Sequence, residues 1–118
     1  MSFCILAGSM VTKVAAATFT LWWMHSVEHI RWTEHWQVTP AGLVVTQARV
    51  EGSGAGMDPP EGAIFDGSGW TYRPHVPPQK RVLLADSGDA GSWHLCADGV
   101  CRGLGGHGGP PIVLELCP

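Results

Sequence analysis

The chain has 118 residues, enough for one domain with a real core and too few for two. Its formal net charge is -3 and its seven Lys and Arg residues are spread from Lys13 to Arg102, which excludes nucleic acid as a partner. Sixteen Gly and nine Pro divide the chain into short pieces, while 45% hydrophobic residues and six Trp supply core material, so the composition predicts a turn-rich all-β protein.

The first stretch, "MSFCILAGSMVTKVAAATFTLWWM", is apolar enough to suggest export or a membrane span. It has no basic region ahead of the first apolar run, and Lys13 interrupts it. The uninterrupted part from Val14 to Met24 falls short of the ~20 residues a spanning helix needs. The stretch therefore reads as part of the fold, with no transmembrane segment. The default location is cytoplasmic, with a periplasmic or membrane-peripheral one as the alternative.

Between Val11 and Thr39 there is neither Gly nor Pro, so a long helix competes with two strands. Trp22, His25, His29, Trp32 and Trp36 would share one helical stripe. Against this, over half of residues 18–38 are β-branched or aromatic, types that pack well on a pleated surface. Ile30, Trp32, Glu34, Trp36 and Val38 also alternate with Arg31, Thr33, His35 and Gln37, as on the two faces of a strand. Strands are the better reading.

Further along, "TPAG" at 39–42 is a turn and "LVVTQARV" at 43–50 a strand. After the glycine-rich loop "EGSGAGMDPPEG", residues 63–65 and 70–73 form a hairpin around "DGSG", and "PHVPPQ" at 74–79 is an extended connector. "RVLLA" at 81–85 and "SWHLC" at 92–96 are further strands. The expected architecture is an antiparallel β-sandwich or small barrel of about eight or nine short strands over residues 1–104. From Gly105 to residue 118 the Gly and Pro content predicts a loose tail.

His25, Glu28 and His29 have the H-x-x-E-H spacing of some zinc peptidases. That geometry needs a helix. On a strand the two histidines lie about 13 Å apart, too far for bonds of ~2 Å to one ion, so no metal or other cofactor is expected. Glu34 is more informative, because alternation puts its carboxylate among apolar residues, where it needs a partner; Arg49, Arg31 and His25 are the candidates. The loop with Ser53, Gly54, Gly56 and Met57 lacks the helix that a phosphate-binding loop requires, since Pro59 and Pro60 follow, but its backbone N–H groups suit an anion or ligand. In "CADGVC", Asp98 and Gly99 suit a two-residue type I′ turn, which sets Cys96 opposite Cys101 at disulfide-compatible distance in an oxidising compartment. Cys4 and Cys117 lie at opposite ends of the chain without metal-site spacing.

Taken together, "FTLWWMHSVEHIRWTEHWQVTPAGLVVTQARVEGSGAGMDPPEGA", "GWTYRP" and "WHLCADGVCRGL" resemble a small bacterial family, domain of unknown function 1850. The motif residues His25, Ser26, Glu28 and Glu34 match the family's pattern, His29 departs from it, and the tail from Gly105 lies outside it. The resemblance implies no established activity. It does imply a gene neighbourhood shared with TRAP-type (TAXI) solute transporters, hence an accessory part in solute uptake.

The functional expectation is a noncatalytic domain that binds a small solute or a transporter component through His25, Ser26, Glu28, Glu34, Ser53, Gly54, Gly56 and Met57. One alternative is a hydrolase using His25 with Glu28 or Glu34. The other is a carbohydrate-binding module with Trp32 and Trp36 as exposed platforms. Oligomeric state is not legible in these residues.

Overall fold

The computed structural model describes residues 1–24, 30–52, 59–88 and 91–118. Those residues form strands and turns without a helix. The strands are β1 (Phe3–Ala7), β2 (Met10–Val14), β3 (Thr18–Met24), β4 (Arg31–Thr39), β5 (Gly42–Glu51) and β6 (Ile64–Phe65), followed by β7 (Gly69–Tyr72), β8 (Arg81–Asp86), β9 (Trp93–Ala97), β10 (Val100–Leu104) and β11 (Gly109–Leu116). They build two antiparallel sheets, one of order β2-β1-β11-β8 and one of order β10-β9-β3-β4-β5-β7-β6. The all-β, sandwich-like expectation holds, with more strands than the expected eight or nine.

The long uninterrupted stretch is strand in its described part, apart from the link at 15–17 and Ile30. Phe19 and Leu21 of β3 and Trp36 and Val38 of β4 are buried, while Thr18, Arg31, His35 and Gln37 are exposed, the period-two pattern of a half-buried sheet. The apolar N-terminus also enters the fold: β1 and β2 form a hairpin over Gly8, whose φ of 61° suits a residue without a Cβ. Phe3 of the smaller sheet stacks on Phe19 of the larger, 4.5 Å between centroids, and Phe19 in turn lies 5.9 Å from Trp36. This aromatic column joins the sheets. Leu43, Leu95 and Leu114, each fully buried, complete the core around it.

The C-terminal segment is not loose. Residues Gly109–Leu116 form β11 between β1 and β8, with Cys4 opposite Glu115 and Leu84 opposite Ile112. Pro110 and Pro111 cannot donate to a ladder, and the register shifts between Gly109 and Ile112, so they sit in a bulge before regular pairing begins. The glycines ahead of it are pinned by Asp86, whose Oδ1 accepts from Gly106 N at 2.9 Å and Gly108 N at 3.1 Å. Antiparallel pairing of β1 with β11 also brings the ends together: Cys4 and Cys117 form a disulfide, Cα atoms 5.1 Å apart. Sequence distance concealed that pair.

At the other hairpin, Cys96 faces Cys101 and is bonded to it, with Asp98 and Gly99 both at positive φ as a type I′ turn requires.

Candidate functional site: the Glu34 cleft

On β4, residues Trp32, Glu34, Trp36 and Val38 point to the inner face, as alternation predicts. Glu34 stands opposite Leu21 of β3 and Ala48 of β5, and Ala48 stands opposite Tyr72 of β7. Two strand spacings put Glu34 and Tyr72 about 10 Å apart on one face. The residue between them, Ala48, is itself buried.

A bulge makes this row possible. His35 pairs with Gln47 but Trp36 pairs with Val45, leaving Thr46 as the extra residue, and Thr46 Oγ1 donates to His35 O at 3.1 Å. Leu43 and Val45 point inward before the bulge; Ala48 and Val50 point inward after it. Without the extra residue the second pair would face solvent.

A cleft of about 380 Å³ lies between the sheets beside Glu34 and Tyr72. Glu34, Trp36, Val45 and Tyr72 line it from the larger sheet, and Arg81, Val82 and Leu83 from β8. The connector supplies Pro74, Val76 and Gln79, and is held against β5 by paired backbone bonds between Leu43 and Gln79. The walls are mixed polar and apolar. At the mouth, Val76 is 44% exposed.

Trp36 Nε1 donates to Glu34 Oε1 at 3.2 Å. Among the described residues no basic side chain pairs with this carboxyl. Burial raises its pKa above the usual glutamate value, and the Trp36 bond opposes that rise only in part. The Tyr72 phenol is also raised, first by burial and then by the Glu34 charge. The Arg81 charge is balanced elsewhere, since its Nε lies 3.2 Å from Glu115.

Two of the cations expected to neutralise Glu34 are engaged elsewhere. Arg49 points to the outer face, where Nη2 donates to Asp66 at 3.1 Å and Ser68 at 2.7 Å. Asp66 also accepts from the backbone of Ser68 and Gly69, which shapes the "DGSG" turn; these bonds, the Ser68 amide first and then Arg49, hold its carboxyl far below the usual range. Arg31 pairs with Glu51 at 3.6 Å and lies 4.3 Å over the Trp22 ring.

The remaining expected site residues, His25, Ser26, Glu28, Ser53, Gly54, Gly56 and Met57, lie outside the described residues, as does His29. The residues that bound the two segments share one end of the larger sheet: Arg31 pairs with Glu51, and a methyl group on Gly52 would sit 3.7 Å from Ile30. Glu34 lies three residues inside that end. Trp36 is only 6% exposed, which removes it as a sugar platform. Among the described residues no group of three or more His, Cys, Asp or Glu could hold a metal ion. No helix there is long and apolar enough to cross a membrane.

Sequence reasoning found Glu34 but not Tyr72, Arg81 or the connector. Their place depends on the bulge at Thr46 and on the pairing of β5 with β7, neither of which a single segment's sequence carries.

These features define a two-sheet antiparallel β domain with a carboxyl set in an inter-sheet cleft. A family model, domain of unknown function (DUF1850), matches residues 19–104, and the chain belongs to that family. No curated protein and no solved structure matches the chain. The matched range runs from Phe19 in β3 to the end of β10 and includes every residue lining the cleft.

Proposed function

We propose that the domain is a noncatalytic, ligand-binding accessory component of TRAP-type (TAXI) solute transport, with the Glu34 cleft as its binding site. The observation that carries the reading is a half-buried carboxyl, without a cation partner among the described residues, at an opening of about 380 Å³ with mixed polar and apolar walls. Openings of this size and character suit small ligands, and a polar group left short of partners there suits one that completes its hydrogen bonds. The cleft lining includes no second carboxyl and no histidine, which favours binding over acid–base hydrolysis. The link to transport rests on the family's gene neighbourhood. His25, Ser26, Glu28 and the Ser53–Met57 loop extend the site in this proposal, because their bounding residues stand at the end of the sheet nearest Glu34.

The two disulfides support an oxidising compartment, hence the periplasmic rather than the cytoplasmic alternative.

Native mass spectrometry of the chain purified from its own host tests the binding claim. A copurified small molecule is expected on the wild type and absent from Val82→Trp, which enlarges a side chain that lines the cleft. A wild-type chain that carries no ligand and takes none from a solute library contradicts the proposal.

A further inference from the structure

Resting on the cleft as a binding site, the geometry points to one ligand class: a primary ammonium at the end of an aliphatic body, seated with its charge on Glu34. The argument begins with the charges. Glu34 and Arg81 are the cleft's fixed-charge side chains, and Arg81 is balanced by Glu115 at 3.2 Å. Among the described residues the charge left uncompensated is therefore negative. A carboxylate offers about four lone-pair sites, and the Trp36 indole occupies one of them.

Different occupants complete this carboxyl unequally. An anion would place like charges together in a partly desolvated space. A neutral apolar molecule would cover the carboxyl without satisfying it. An ammonium supplies both the opposite charge and up to three donors, and charge-assisted bonds of this kind are the stronger ones. Burial that disfavours the free carboxylate is relieved by such a partner.

The rest of the cleft describes the ligand's body. Val45, Val82, Pro74 and Val76 offer apolar contact and no charge. The part-exposed Val76 of the connector lets an aliphatic chain run outward without losing contact. A free alkylamine and a lysyl side chain presented by a protein share this chemistry.

The test is calorimetry on the full, disulfide-intact chain at neutral pH. Its probes are n-hexylammonium, n-hexanol, hexanoate and Nα-acetyl-lysine methylamide. Hexylammonium is expected to bind at least ten-fold more tightly than hexanol or hexanoate, and Glu34→Gln is expected to remove that preference. Val82→Trp keeps the carboxyl but fills the cleft from the opposite sheet; it should abolish binding even if Glu34→Gln fails to fold. Comparable binding of blocked lysine assigns the chemistry to a protein's side chain, and hexylammonium alone to a free amine; either result supports the class. Hexanol or hexanoate binding as tightly, still blocked by Val82→Trp, overturns the ammonium class and leaves the cleft standing. No binding by any probe overturns both.

Discussion

Glu34 keeps its carboxyl half-buried against Trp36, and that placement has a cost that depends on pH. Its folded pKa is raised, so between the unfolded value and the folded one the native chain holds a proton that the unfolded chain has lost. Stability from this group is present below the unfolded pKa and falls as pH rises through the folded one. Glu34→Gln removes the ionisation while its amide oxygen still accepts from Trp36. The variant is expected to be more stable than the wild type at neutral pH, with the difference shrinking as pH falls through the raised folded pKa and gone below about 4.5, as thermal unfolding across pH would show. A variant less stable than the wild type at neutral pH, but not in acid, would mean that the charged form of Glu34 is held by a stabilising contact. Part of this residue was legible in advance: alternation along Trp32, Glu34, Trp36 and Val38 put the carboxyl on the inner face. Its partner was not, because charge matching suggested Arg49 or Arg31, and both reach other acids on the outer face.

Single positions decide how the strands run. Gly42 ends the Thr39–Gly42 turn with φ 139°, and a Cβ there would meet Gln79 O at 2.6 Å, in the backbone that closes one side of the cleft. Gly42→Ala is expected to cost about 2–3 kcal/mol from backbone strain and displacement of the connector. Chemical denaturation measures it; a loss under ~0.5 kcal/mol would show that the connector moves freely. The turns, hairpins and most strand positions followed from residue chemistry, since Asp98-Gly99 and "DGSG" each dictate a bend. Bulges did not. Thr46 and Pro110–Pro111 interrupt otherwise readable patterns, and a bulge's position depends on the partner strand, which one segment's sequence does not contain.

At the scale of the whole molecule, the smaller sheet is assembled from both ends of the chain. β1 and β11 are neighbours, and Cys4–Cys117 closes a separation of 113 residues. Constraining so long a loop in the unfolded chain is worth roughly 2–5 kcal/mol, whereas the five-residue separation of Cys96 and Cys101 constrains little. Cys4→Ser with Cys117→Ser is therefore expected to lower stability by about that amount, and Cys96→Ser with Cys101→Ser by clearly less. Equal losses in urea unfolding would contradict this ordering. Such long-range pairing was the least legible part of the chain, because nothing in "SFCIL" or "LELCP" names its partner; only the folded sheet does.

The sheets meet around Trp36, whose indole touches the carboxyl at the base of the cleft, and that contact gives the most direct test of the whole account. The measurement is a two-dimensional NMR spectrum of the six tryptophan indole N–H groups during titration with n-hexylammonium and the copurified ligand. The account expects the Trp36 resonance to shift and saturate, while Trp22, stacked on His94 on the outer face, stays in place. A saturating shift at Trp22 with Trp36 unmoved would place the binding site elsewhere and contradict it.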